Sequence, residues 1–147
     1  MSKKPIDLDQ YFPFFLGTIA NRWATTSSRL YLAEFGIGIA EWRVLASICS
    51  LGNASSQDVV GLISMDAGAV SRAVSHLEAK AYVQKVAGRF QGRTKPYELT
   101  DEGARIYAAI RKIALERENA LLAGLGERDR KDLLRIMRKI LRNIDKL

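Results

Sequence analysis

Three cations, Arg89, Arg93 and Lys95, lie close together in VAGRFQGRTKPYELTDEG, Val86 to Gly103, a stretch that also carries Gly88, Gly92, Gly103 and Pro96. Guanidinium and ammonium groups on a glycine-permitted turn suit the oxygens of an anionic polymer. A second set lies upstream: Gly68, Ser71, Arg72, Ser75 and His76 recur at the three-and-four spacing of one helical face. Other chemistry is scarce. His76 is the only histidine and Cys49 the only cysteine, so the soft ligands of a zinc cluster are missing; no nucleophile–base pairing is apparent, and no phosphate loop is present. The expectation is a protein that is not an enzyme and needs no cofactor and no metal. A lone cysteine in Leu-Ala-Ser-Ile-Cys-Ser-Leu also reads as a buried, reduced thiol in a cytoplasmic protein.

Net charge is +7 over 147 residues, and its distribution is uneven. Residues 111–147 carry 11 basic and 6 acidic side chains, whereas residues 66–100 carry 6 and 3. Charge alone therefore points to the C-terminal segment, but there the basic residues are interleaved with Leu, Ile and Met at helical spacing, the pattern of a helix with one solvated face. The apolar patch after MSKKPIDLDQ is broken by Pro13, Gly17 and Asn21. It is too short and polar for a signal peptide or a membrane span.

Positioning these groups requires a particular order of elements. Phe12, Phe15, Leu16, Ile19, Trp23 and Leu30 predict a long amphipathic first helix, from Asp9 to about Glu34, with Pro13 in its first turn. Gly38, with Glu41 three residues on, starts a second helix whose Trp42, Leu45, Ile48 and Cys49 share a face and which ends at SLGN. Ser55-Ser-Gln-Asp is a capping pattern for a short third helix carrying Val59, Val60, Leu62 and Ile63. After SMDAG, a fourth helix from about Ala67 to Lys80 buries Val70, Val74 and Leu77, and two short helices across a tight turn form a helix-turn-helix. Tyr82–Ala87 and Lys95–Leu99 read as the strands of a hairpin, with Pro96 marking an edge. Thr100 caps a fifth helix to about Leu122, and a sixth is expected to bury Leu133, Leu134, Met137, Ile140, Leu141 and Ile144. The fold class is mainly α with a small β-hairpin wing. It is a winged helix-turn-helix over 37–100, flanked by helices over 8–36 and 101–147, in a single domain of 1–147.

Three segments of this order carry a resemblance. Gln91-Gly92-Arg93, five residues, then Leu99-Thr100-Asp101-Glu102-Gly103 resembles the wing pattern of the MarR family of bacterial transcription regulators, D-x-R followed by L-T-x-x-G. AVSRAVSHLEAKAYV, Ala69 to Val83, is similar to the family's recognition helix, and EWRVLASI to its second helix. Gln91 stands where the family usually has Asp, Ala81 where it usually has Gly, and Lys85 where Arg is common.

The resemblance implies a cytoplasmic, dimeric regulator of transcription on double-stranded DNA, with the terminal helices forming the dimer and two-fold symmetry setting a pseudo-palindromic operator. A fourth helix entering the major groove would present Gly68, Ala69, Ser71, Arg72, Ser75 and His76. Amides near Ser55, Ser56 and Gln57 at the start of the third helix suit a phosphate. Arg93 is the candidate for the minor groove, with Arg89, Gln91, Gly92 and Lys95 beside it. The family's effectors are often small aromatic or phenolic anions whose binding releases DNA, and Trp23, Ser27, Tyr31, Trp42 and Arg43 are the candidate lining here. Two alternatives stay open: a winged-helix adaptor that binds protein or RNA, and a redox-responsive regulator using Cys49, although no basic residue adjoins that thiol to activate it.

Overall fold

The computed structural model describes residues 4–88 and 94–147. Arg89, Gln91, Gly92 and Arg93 of the wing sequence lie outside the described residues. A 3-10 turn, Leu8–Gln10, leads into α1 (Phe12–Phe35), then come α2 (Ile39–Leu51), α3 (Ser56–Ile63), α4 (Ala67–Ala79), β1 (Val83–Lys85), β2 (Tyr97–Leu99), α5 (Asp101–Leu121) and α6 (Glu127–Ile144). Two compact units are present, Met1–Ile110 and Arg111–Leu147. Among the described residues no helix is long and apolar enough to cross a membrane.

The core of the first unit is built from one residue or a few from each α-helix and from β1: Tyr31, Val44, Leu45, Ile48, Val59, Val70, Val74, Leu77, Val83 and Ile110. In α4 the buried positions, Val70, Ala73, Val74 and Leu77, recur at helical spacing, so one stripe of the helix is committed to the core and the opposite stripe is left to solvent. The start of α2 is tied to α1, because the Ile39 amide donates to Ser28 Oγ at 3.2 Å. Cys49 is half-buried rather than fully enclosed; it lies beside the stripe of α2 in which Val44, Leu45, Ser47 and Ile48 are buried.

Three bonds and one missing side chain weld the exit of α4 to the start of α5. Ala81 has a left-handed backbone, φ 57°, with its amide donating to Glu78 O and the Tyr82 amide to Leu77 O, both at 2.9 Å. This is the paired-bond helix ending in which glycine is usual, because a Cβ crowds the following carbonyl. Thr100 then reaches back: its hydroxyl donates to Ala81 O at 2.6 Å and accepts from the Gly103 amide at 2.9 Å, while its own amide donates to Tyr82 O at 3.1 Å. The family's glycine at position 81 thus has a physical reason. Ala81→Gly is expected to stabilise the fold by about 1 kcal/mol by relieving the left-handed strain, raising the melting temperature by about 3 °C. An unchanged or lower melting temperature in calorimetry would count against strain at this residue.

The hairpin pairs Val83 with Leu99, Gln84 with Glu98 and Lys85 with Tyr97. The strands are shorter than the sequence suggests, and Pro96 explains one end. Val86 N–H donates to Pro96 O at 2.9 Å, and the reciprocal bond is the one proline cannot make, so the ladder stops there. The edge reading of the returning strand is corrected: Tyr97 also exchanges two bonds with Ala54, at 2.9 and 2.7 Å, which leaves β2 flanked on both sides and β1 at the edge.

The largest departure concerns the sixth helix, and the first shares its exposed apolar face. On α1, Phe12, Phe15 and Ile19 are exposed, and only Ser27 and Tyr31 are buried. On α6 no residue is buried, and Leu133, Leu134, Leu141 and Ile144, expected to be enclosed, are exposed, while Met137 and Ile140 are half-buried. Amphipathic spacing identifies an apolar face without saying which chain covers it. In the second unit Arg130 closes the α5–α6 turn, its guanidinium donating to Leu125 O, Asn119 Oδ1 and Leu122 O at 3.2, 2.9 and 3.2 Å.

Candidate nucleic-acid interface

α4 is started by Asp66, whose carboxylate accepts from the Ala69 amide at 2.9 Å. The turn before it is closed by Ser64, in the left-handed region at φ 53°, with its amide on Val60 O. With Val70, Ala73, Val74 and Leu77 inward, the sequence-derived contact residues Gly68, Ser71, Arg72, Ser75 and His76 are all exposed, and Ala69 is half-buried. All of these except Gly68 line an open concavity of about 710 Å³ whose far wall is Ala40 and Glu41 of α2. Small side chains at 69, 71, 73, 75 and 79 make the wall low, so another backbone can approach closely.

Glu41 joins the two helices at this concavity. Its Oε2 accepts from the Gly38 amide at 2.9 Å, capping α2, and its Oε1 lies 2.9 Å from His76 Nδ1 on α4. Burial raises the Glu41 carboxyl, but the bonds from His76 and from the Gly38 and Glu41 amides outweigh burial and hold it below its ordinary value. The sequence reading took Glu41 only as a helix cap; nothing local announces a partner 35 residues away.

At the start of α3, Ser55 Oγ accepts from the Asp58 amide at 3.2 Å, and the Asp58 carboxylate accepts from both the Ser55 amide and hydroxyl at 2.8 Å. Those bonds hold the Asp58 carboxyl below its ordinary value. The capping pattern is therefore realised, and it already uses two of the four amides at this end; the Ser56 and Gln57 amides are the ones left to meet an anion. Lys95 is exposed at the start of the returning segment. The other wing candidates, Arg89, Gln91, Gly92 and Arg93, lie outside the described residues.

Of the candidate effector residues, Ser27 and Tyr31 are fully buried and Trp23, Trp42 and Arg43 half-buried. Tyr31 meets Trp42 edge-on at 6.1 Å, and Trp42 stacks on Tyr107 of α5 at 5.5 Å. Tyr107 was not among the sequence candidates, since it lies 65 positions from Trp42 and the i, i+3 logic of one helix cannot link them. The structure thus brings Tyr31 and Trp42 together with a third ring, and sets Ser27 in the core.

Comparison with known proteins agrees with this architecture. Residues 35–94 match a model of the MarR family. A MarR/EmrR family transcriptional regulator from Acinetobacter sp. ADP1 superposes with a TM-score of 0.90 at 30% identity, covering 97% of this chain and 100% of that one. A MepR–DNA complex from S. aureus shares the fold, with a TM-score of 0.79 at 18% identity over 92% of this chain and 98% of that one. An uncharacterised HTH-type transcriptional regulator, YwoH of Bacillus subtilis (strain 168), is 27% identical over 110 residues, 75% of this chain and 80% of its own.

Proposed function

The chain belongs to the MarR family of transcription regulators, and from that premise we propose that it acts as a homodimeric repressor, binding a pseudo-palindromic double-stranded operator sequence-specifically and releasing it when a small aromatic or phenolic effector binds. The observation that carries this reading is the division of α4 into a core stripe and an exposed stripe of small and polar residues with one arginine. A helix of that kind can enter a major groove and bring Arg72, Ser71, Ser75 and His76 to base edges and phosphates. The S. aureus MepR relative of the same fold was solved as a complex with DNA. The apolar faces of α1 and α6, uncovered in one chain, support a dimer, which would bury them against a second copy. Two recognition helices would then be spaced by about one DNA turn, roughly 34 Å. Trp23, Ser27, Tyr31, Trp42 and Arg43 are proposed to line the effector site, now with Tyr107 on Trp42.

Selection of bound DNA from a random pool, followed by gel shifts over a salt series, tests the reading. A two-fold repeated sequence is expected, with affinity falling steeply as salt rises, because phosphate contacts release counterions. Equal affinity for all sequences at every salt concentration would favour the adaptor reading instead.

A further inference from the structure

We infer that Glu41 fixes the tautomer of His76, so that the ring presents Nε2 as a bare acceptor in the α4 concavity and His76 reads a base that offers an amino donor there, adenine or cytosine. The inference rests on the DNA-binding reading of α4 and goes beyond it by naming what one position recognises and which residue outside the recognition helix sets that choice.

With the ring neutral, the geometry leaves the pair one arrangement. Glu41 Oε2 already accepts from the Gly38 amide at 2.9 Å, and Oε1 lies 2.9 Å from His76 Nδ1. An ionised carboxylate only accepts, so the proton between these atoms belongs to Nδ1, which donates to Oε1. A neutral imidazole carrying its proton on Nδ1 has none on Nε2. That nitrogen has no partner among the described residues, and the ring is about half exposed (53%) whereas the Glu41 side chain is largely covered (18%). Glu41 is thus the fixed member and His76 the presented one. In the major groove the amino donors are adenine N6 and cytosine N4, whereas guanine and thymine offer only acceptors at the equivalent positions. Glu41 touches no DNA in this scheme; it is a positioning residue that acts through the ring.

Glu41→Gln separates positioning from structure. The glutamine oxygen can still accept from the Gly38 amide, which keeps the cap of α2, but its other atom is then an amide nitrogen that donates to Nδ1. The ring proton would move to Nε2, and the outward atom would become a donor, matched to guanine or thymine. ¹⁵N imidazole spectra of the full chain, taken where the spectra identify the neutral ring, read the proton position directly; selection from a random DNA pool reads the base preference. The parent is expected to carry its proton on Nδ1 and to prefer adenine or cytosine at one position, by about fivefold, the worth of one neutral hydrogen bond. In Glu41→Gln the proton is expected on Nε2 and the preference at that position on guanine or thymine. His76→Phe, which keeps a planar ring without nitrogen, is expected to lose the preference at that position alone.

A parent ring protonated on Nε2 overturns the inference, whether or not the variant folds. So does a Glu41→Gln protein whose tautomer changes while its base preference does not, since His76 would then read no base. Both results leave the DNA-binding reading standing if the parent still selects a sequence. A parent that selects no sequence ends that reading, and the base assignment with it.

Discussion

Gly103→Ala is expected to unfold the protein at a melting temperature lower by about 10 °C, a loss of about 3 kcal/mol. A Cβ built on Gly103 would lie 1.8 Å from the backbone oxygen of Tyr82 and 2.7 Å from its carbon. No rotamer change relieves a clash between a Cβ and a backbone carbonyl, so either the first turn of α5 or the exit of α4 must move. Both are held: Tyr82 O accepts the Thr100 amide at 3.1 Å, and Thr100 Oγ1 binds Ala81 O and the Gly103 amide at once. Moving one element breaks bonds of the other, and that coupling is what places the effect above the usual cost of one added methyl group. The five-residue pattern Leu99-Thr100-Asp101-Glu102-Gly103 is thereby explained as a joint: threonine supplies the bonds, and glycine the absence that lets two backbones touch. Thermal unfolding of the variant beside the parent decides it; a loss of under about 2 °C would mean that α5 can shift freely and that the joint is not rigid.

What was legible in the sequence was local. Gly38 with Glu41 and Ser55 with Asp58 announce helix starts because a cap and its partner lie three residues apart, and both bonds are present. Val70, Val74 and Leu77 announce the inward stripe of α4, since one period decides all three, and the exposure of Ser71, Arg72, Ser75 and His76 follows from the same period. What was not legible was long-range pairing. The contact of Glu41 with His76 and the stack of Trp42 on Tyr107 join residues from different helices, and the bridge from Ala54 to Tyr97 turns a strand read as an edge into a flanked one. The apolar stripes of α1 and α6 were recognised correctly as apolar. Spacing alone cannot say whether such a face meets its own chain or another copy, because the hydrophobic effect is non-directional; the expectation of a second copy came from the family resemblance.

Arg72→Ala is expected to weaken binding to the selected operator by about 10- to 100-fold while leaving the melting temperature within about 1 °C of the parent. The two halves of that expectation come from the same observation. Arg72 is exposed, and its guanidinium bonds no group among the described residues, so the fold has nothing to lose with it. It also lies back over the first turn of α4, where a Cβ on Gly68 would come within 3.2 Å of Nη1; the missing side chain at 68 leaves room for the guanidinium there. A bidentate arginine on a guanine edge contributes about 1–3 kcal/mol of discrimination against the wrong base, whereas an arginine on a phosphate contributes to all sequences alike. The salt series separates the two roles. If Arg72 neutralises a phosphate, the slope of log affinity against log salt becomes shallower by about one and weakening is uniform across sequences. If it reads guanine, the slope changes less and preference at one position collapses. Equal operator affinity for variant and parent would remove Arg72 from the interface and leave the exposed stripe of α4 without its only cation.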